Sequence, residues 1–147
     1  MTQTPSSSIL GPAYEALAEK YRPVFARIAQ TALAREQQRS LGYEAITWLK
    51  QAGFGAVRVP QEWGGDGATL PQLFQLLVEL GEADSNIVQV LRGHFAFVED
   101  RLNAPYDASV QVWLRRFVAG ELVGNAWTEV GDVAIGNVIT QVSQPGG

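Results

Sequence analysis

Apolar residues recur at every third or fourth position over most of the chain, and this spacing predicts a series of amphipathic helices. Pro23 interrupts the first apolar stripe. Because proline removes a helical donor and crowds the preceding turn, we expect a short helix to about Lys20 and a second one with Pro23 in its first turn. A single kinked helix is the alternative. The stripe consists of Tyr14, Leu17, Tyr21, Val24, Phe25, Ile28 and Ala32.

Four further helices follow, marked by the same spacing and by residues that favour helix ends. Thr69 is suited to cap one helix and Asp84 the next, whereas Gly53 is suited to end one. These helices are predicted at Tyr43 to Ala52, Thr69 to about Ala83, Asp84 to about Asn103 and about Ala108 to Gly120, which makes six helical segments in all. The side chains expected to face inward are Ile46, Leu49, Leu73, Leu76, Leu77, Leu80, Ile87, Val90, Leu91, His94, Phe95, Val98, Val110, Trp113, Leu114 and Phe117.

The sequence changes in character after Gly120, where β-branched and aromatic residues alternate with glycines. This change predicts two strands, Leu122 to Thr128 and Val138 to Val142. The chain then reads Gln144-Pro-Gly-Gly147, which is typical of a turn. Since two strands alone are only marginally stable, we expect the start of a sheet rather than a finished one.

Composition and charge narrow the classes of function. A chain of 147 residues, 46% of them hydrophobic, is long enough for one soluble domain, or for one domain plus a fragment. The formal net charge of -4 argues against nucleic acid or an anionic membrane as a partner. Because the chain has no cysteine and one histidine, disulfides and thiol nucleophiles are excluded and no metal site is expected.

Targeting signals are not evident at the start of the chain. The first eight residues carry no positive charge and no apolar segment follows them, so a signal peptide is not expected. We expect residues 1–11 to form a disordered tail. No apolar run approaches the roughly 20 residues that span a bilayer, and the expected location is the cytoplasm.

A glycine-rich stretch, Gly53-Phe-Gly-Ala-Val-Arg-Val-Pro-Gln-Glu-Trp-Gly-Gly-Asp-Gly67, lies between two predicted helices. It resembles the signature of the N-terminal helical domain of the acyl-CoA dehydrogenase superfamily, with Trp63 replacing the customary Tyr or Phe. The resemblance implies a mainly α fold with that helical domain at 12–120 and an incomplete start of the β-domain at 121–147. The matching residues are Gly53, Val59, Pro60, Glu62, Gly64, Gly65 and Gly67.

A second stretch, Gly120-Glu-Leu-Val-Gly-Asn-Ala-Trp-Thr-Glu129, resembles the superfamily's entry into the β-domain. In that family this strand passes the flavin ring, so the resemblance implies that Trp127 and Thr128 bind the cofactor. A flavin needs hydrogen-bond donors along its polar edge and an apolar cover for its face. The alternative is an ordinary strand, with Trp127 in the core and Thr128 present for its strand preference.

The sequence after this motif departs from the family pattern. Glu129 is followed by Val-Gly-Asp-Val-Ala-Ile-Gly-Asn137, without the proline and the Gly-Ser pair that help to bind the cofactor's pyrophosphate. The departure favours the superfamily's flavin-dependent monooxygenases, such as those that oxidise dibenzothiophene with reduced FMN. Gly124-Asn125-Ala126 is similar to a motif of those enzymes, which implies that Asn125 binds flavin-bound oxygen or substrate. An asparagine that satisfies backbone groups at a strand end is the alternative.

The single histidine lies in Arg92-Gly-His-Phe-Ala-Phe-Val98, which resembles the pocket helix of the same monooxygenases. The resemblance implies a catalytic His94 that donates a proton to a flavin peroxide or orients a substrate oxygen, with Phe97 contacting substrate. A lone histidine on an apolar face is more often a satisfied core residue, and that reading stays open.

The resemblance therefore implies a flavin-dependent oxidoreductase that uses FAD, or reduced FMN in the monooxygenase case. Its substrate would be an acyl-CoA or a small organic or sulfur compound. No residue is assigned as the base of a dehydrogenase, so the chain is not expected to be active alone. Because an unfinished sheet would leave an apolar edge open, we expect a homo-oligomer or a partner that supplies the missing domains. A non-catalytic helical interaction module is the alternative, and a small catalyst that relies on His94 alone is a third hypothesis.

Overall fold

The computed structural model describes residues 12–125, together with residues 141 and 143, and these residues are mainly α-helical. The predicted fold class is confirmed for this part of the chain. Two 3-10 turns, Phe54–Ala56 and Gln61–Trp63, separate the second and third helices. The described α-helices are α1 (Pro12–Gln38), α2 (Tyr43–Gln51), α3 (Leu70–Ala83), α4 (Ser85–Asn103) and α5 (Ala108–Val118).

The first helix is continuous, so the prediction of two helices separated near Pro23 is wrong. Pro23 lies inside α1, and the described chain has five α-helices instead of six helical segments. An interior proline costs a helix about 3 kcal/mol. Burial offsets that cost, because Tyr21 and Phe25 on either side of the proline are 0% and 4% exposed. The exposed ring of Pro23 faces away from this packing.

The other helix boundaries confirm the predicted ones. Thr69 forms a capping box with Gln72, in which each side chain bonds the other residue's backbone N–H. The side chain of Asp84 accepts a hydrogen bond from the N–H of Asn86 and so caps α4. Gly53 ends α2 in the left-handed region, with φ of 77°, as its position predicts.

The predicted inward faces are largely buried, with one clear exception. Val90 is 60% exposed, and its assignment to the core is wrong. At 3.6 residues per turn it lies roughly 60° from Ile87, at the margin of a stripe whose centre is buried. In α2 the deepest residues are Ala45 and Leu49, at 0% and 1% exposure. Ile46, Leu77 and Trp113 are half-buried.

Phe54 joins the helices at the centre of the larger hydrophobic cluster. Its ring centroid lies 5.0 Å from that of Tyr21, 5.5 Å from Phe25 and 5.6 Å from Phe95, each at an edge-to-face angle. The glycine-rich stretch therefore places an aromatic side chain between α1 and α4. A smaller cluster beside it contains Ala56, Val59, Val98, Val110, Leu114 and Phe117.

After α5 the described chain, residues 121–125, runs without regular secondary structure. The first four residues of the predicted strand Leu122 to Thr128 thus form no strand. Its remaining residues, and nearly all of the second strand, lie outside the described residues. The tail predicted at 1–11 also lies outside them. The β-domain start stays a prediction.

Candidate functional site

The glycine-rich stretch is built for close backbone approach. A side-chain carbon added to Gly65 would lie 2.1 Å from the carbonyl oxygen of Val59, far inside contact distance. The backbone returns on itself here, since the N–H of Gly67 also donates to Val59 over 2.9 Å. The physical role of these glycines is to fold the turn.

Two ion pairs fasten this turn to the helices. Asp66 accepts a hydrogen bond from the hydroxyl of Tyr21 and pairs with Lys20 over 2.7 Å. Arg58 binds the carboxylate of Glu99 with two nitrogens, at 2.5 and 3.0 Å, and also donates to the backbone carbonyl of Ala68. The bidentate arginine holds the Glu99 side chain half-buried.

Two other carboxylates of the helical domain are also paired. Asp84 lies 2.7 Å from Arg35, and both side chains are largely buried. Glu79 binds Arg22 at 2.9 Å and accepts a hydrogen bond from Tyr14 at 2.7 Å. The Arg22 hydrogen bond, aided by that from Tyr14, lowers the pKa of Glu79 despite its partial burial.

His94 is the polar centre of the site and is only 1% exposed. Its Nε2 lies 2.8 Å from the carbonyl oxygen of Gly55, and its Nδ1 accepts the backbone N–H of Val123 at 3.2 Å. Since Nδ1 accepts, the neutral ring carries its proton on Nε2 and donates it to Gly55. Burial lowers the pKa of His94, partly offset by the bond to Gly55. The inward orientation expected from the sequence is confirmed.

Small and aromatic neighbours fix the position of this ring. The ring centroids of Phe95 and Phe117 lie 5.2 and 5.4 Å from that of His94. A side-chain carbon on Gly55 would lie 2.6 Å from Leu122 and 3.1 Å from His94 Nε2. The turn, α4, α5 and the segment after α5 therefore meet at His94.

Asn125 lies over the same part of α4. A side-chain carbon on Gly93 would come within 2.9 Å of the Asn125 amide nitrogen, so the glycine gives that side chain its place. Asn125 is exposed, and among residues 12–125 its side chain has no hydrogen-bond partner. The structure thus brings His94 and Asn125 to one region. Trp127 and Thr128 lie outside the described residues.

Phe97 extends this region along α4. Its half-buried ring lies 4.8 Å from Trp113 and 6.1 Å from Phe117, measured between centroids. Phe117 contacts both Phe97 and His94 and so joins the two predicted residues. The mainly α-helical frame is consistent with the family that the sequence resembles.

A family model described as acyl-CoA dehydrogenase, N-terminal domain, matches residues 12–121, which is most of the chain. The chain belongs to the acyl-CoA dehydrogenase family. No curated protein and no solved structure matches it significantly. The family consists of flavin-dependent oxidoreductases that typically bind FAD. Its model ends at residue 121, just before Asn125, so the choice between dehydrogenase and monooxygenase stays a prediction.

For this member of the acyl-CoA dehydrogenase family, the described geometry resembles the satisfied core histidine that the sequence analysis left open. Both ring nitrogens are bonded to backbone groups and the ring is buried. This arrangement is typical of a residue that holds other segments in place, here the turn at Gly55 and the segment at Val123. The catalytic role of His94 stays a prediction.

Two residues of the site were not singled out by the sequence analysis. Gly93 lies in the middle of α4, where glycine costs about 1 kcal/mol relative to alanine, and such a position signals close approach by another group. Gly55 was named only within the glycine-rich stretch, although its carbonyl oxygen accepts the hydrogen bond from His94 Nε2. A glycine in the middle of a helix, next to the single histidine, was the sequence signal that could have indicated this site.

Metal chemistry finds no support in the described part of the chain. No group of three or more His, Asp or Glu side chains there is placed to hold a metal ion. In the same residues, no helix is both long and apolar enough to cross a membrane.

Proposed function

We propose that this chain is the N-terminal part of a flavin-dependent oxidoreductase, with Asn125, Trp127 and Thr128 along the polar edge of the flavin. The observation that carries the proposal is the exposed amide of Asn125. It lies against Gly93 and has no hydrogen-bond partner among residues 12–125. Asn125 belongs to the segment that the Val123–His94 hydrogen bond attaches to the helices.

The chemistry of Asn125 fits a flavin. An amide side chain both donates and accepts, which suits the alternating polar atoms along the edge of the ring. Bound flavin supplies the redox chemistry, whereas the chain binds the ring and orients it. Trp127 is proposed to cover the ring face and Thr128 to bond its edge. The apolar rings of Phe97 and Trp113 pack against the same small hydrophobic cluster as Val123, which places apolar surface beside this segment.

The finer assignments extend the same proposal. The Gly124-Asn125-Ala126 run and the missing Gly-Ser pair after Glu129 support a monooxygenase that uses reduced FMN, with FAD-dependent acyl-CoA dehydrogenation as the other form. The substrate is then a small organic or sulfur compound, or an acyl-CoA, and Phe97 contacts it. The proposal includes assembly of the chain as a homo-oligomer or together with a partner.

A flavin titration tests the proposal. The whole chain is titrated with FAD, oxidised FMN and, without oxygen, reduced FMN, while flavin fluorescence and thermal midpoint are followed. Binding at 100 times the dissociation constant stabilises the fold by about 2.7 kcal/mol, which raises the midpoint. The preferred flavin separates dehydrogenase from monooxygenase.

A pair of variants makes this test specific. Asn125→Ala is expected to weaken flavin binding about tenfold, the effect of one lost hydrogen bond. Asn103→Ala is the matched control, since this exposed asparagine at the end of α4 bonds only the Glu99 carbonyl among the described residues. Equal affinities of the two variants would contradict the proposed edge.

A non-catalytic helical interaction module is the second candidate. Large apolar side chains at the end of α1 and the start of α2 favour it, because Leu33, Leu41 and Tyr43 are 69%, 70% and 74% exposed. This module would be a stable monomer that ignores flavin. A flat titration together with a monodisperse monomer in light scattering would support it over the enzyme.

A further inference from the structure

We propose that the neutral ring of His94 is a clamp that holds residues 121–125 against the turn at Gly55, and that protonation of the ring releases them. The proposal concerns the chain itself and does not depend on flavin. His94 acts as a positioning residue, since it contacts backbone groups of two distant segments.

The geometry gives the clamp its two ends. Nε2 donates to the Gly55 carbonyl at 2.8 Å, and Nδ1 accepts from the Val123 N–H at 3.2 Å. Residues 121–125 form no regular secondary structure that would otherwise hold them. Leu122 adds packing against the larger hydrophobic cluster, and Glu121 caps the end of α5 through its N–H. The His94 bond is therefore the polar attachment nearest to Asn125.

Protonation removes one end of the clamp directly. A positive imidazole carries a proton on both nitrogens, so Nδ1 then faces the Val123 N–H with a second donor. Two opposed donors repel, and among the described residues no carboxylate bonds to the ring to balance the buried charge. The segment is expected to move away while Nε2 keeps its bond to Gly55.

Charged side chains on the surrounding elements lie at or near the surface. Those of Arg92, Asp100, Arg115, Arg116 and Glu121 are exposed, whereas that of Arg101 is half-buried, as are those of Glu99 and Arg58, which pair with each other. Glu121 is paired with Arg116 at 2.6 Å. The turn Phe54–Ala56 contributes no titratable side chain. None of these groups offsets a charge on the buried ring, so acid acts on the clamp through His94.

Hydrogen exchange of the Val123 amide in the whole chain tests the clamp. Protection factors are measured by NMR from pH 7.5 to 5, with ring nitrogen shifts of His94 recorded on the same samples. The chain has one histidine, so its ring signals are unambiguous. At pH 7.5 we expect the tautomer protonated on Nε2, and a Val123 protection factor that falls about tenfold as the ring titrates.

The Ala119 amide is the internal control and should keep its protection. Its N–H donates to the backbone carbonyl of Arg115 at 2.9 Å. Protonation of His94 without a change at Val123 would overturn the proposal. Equal loss of protection at Ala119 and Val123 would also overturn it, because that result means global unfolding. A ring protonated on Nδ1 at pH 7.5 would exclude the clamp altogether.

Two variants separate the ends of the clamp at pH 7.5. His94→Asn places an amide oxygen near the position of Nδ1, whereas His94→Gln reaches the position of Nε2. We expect His94→Gln to lose about tenfold of the Val123 protection and His94→Asn to keep most of it. Equal losses in the two variants would contradict the assignment of Nδ1 as the acceptor. The wild-type pH series decides the matter even if a variant does not fold.

Discussion

Val123 donates its backbone N–H to Nδ1 of His94 across 3.2 Å, although the two residues are 29 positions apart. This bond attaches the segment after the last described helix to the middle of α4. Asn125, two residues further, then lies beside Gly93. The segment that carries Asn125 is thus attached to the helical domain by contacts with His94 and Gly93, and each contact can be altered separately.

The first prediction concerns the room that Gly93 leaves for Asn125. Gly93→Ala is expected to weaken flavin binding, because the added carbon would lie 2.9 Å from the Asn125 amide nitrogen. The helix itself gains up to about 1 kcal/mol from the same change, so the thermal midpoint should not fall with the affinity. Calorimetric flavin titration and thermal unfolding measure the two effects.

Gly81→Ala provides the matched control. Gly81 also lies in a helix, but its added carbon would meet Val88 at an ordinary 3.7 Å. This variant should gain stability and keep its flavin affinity. The account fails if both glycine variants bind flavin as the wild type does.

The second prediction concerns the fold of the glycine-rich stretch. Gly65→Ala should destabilise the protein by about 3 kcal/mol, since the new carbon would lie 2.1 Å from the Val59 carbonyl oxygen, a backbone atom that cannot turn aside. Gly124→Ala should change stability little, because an added carbon there would meet no atom of the described residues within 4 Å. Urea unfolding measures both. Similar midpoints would show that the turn is looser than described.

The third prediction concerns the largely buried pair of Arg35 and Asp84. Asp84→Ala removes both the ion pair and the cap of α4, and leaves Arg35, whose Nε is already without a partner in the described residues, as an uncompensated charge. A loss of about 3–5 kcal/mol is expected. The exposed pair of Asp100 and Arg101 is the comparison, and Asp100→Ala should cost less than about 1 kcal/mol.

The fourth prediction concerns acid. The folded pKa of Glu79 is lowered by its bonds to Arg22 and Tyr14, so the unfolded chain takes up this proton at a higher pH than the folded one. The stabilisation is therefore complete above the usual glutamate pKa of about 4.3 and is lost as pH falls through the lowered value. Glu79→Gln should flatten the decline of unfolding free energy below that pH. An unchanged slope in chemical unfolding would contradict the assignment.

Most of the helical frame could be predicted from the sequence, because the capping residues and the apolar spacing indicate the same helix boundaries. Thr69, Asp84 and Gly53 each marked a real helix end. Pro23 misled the prediction because its local cost is outweighed by the burial of Tyr21 and Phe25, which depends on helices distant in the chain. Rules based on neighbouring residues do not include the free energy gained by packing against distant helices.

Less of the candidate site than of the fold could be predicted from the sequence. The spacing of α4 indicated that His94 points inward, but no local rule indicates that both of its nitrogens meet backbone groups of distant segments. The ion pairs of Glu79 and Glu99 likewise depend on which helices become neighbours. Gly93 carried a readable signal, since a glycine within a helix needs a reason.

The most direct test of the proposed flavin edge is an NMR titration of the whole labelled chain with FAD and with FMN. The account predicts that the side-chain amide of Asn125 and the indole N–H of Trp127 shift in a saturable way, while the side-chain amide of Asn103 stays in place. Shifts that are absent from Asn125 and Trp127 at saturating flavin would contradict the account and leave the interaction module as the better description.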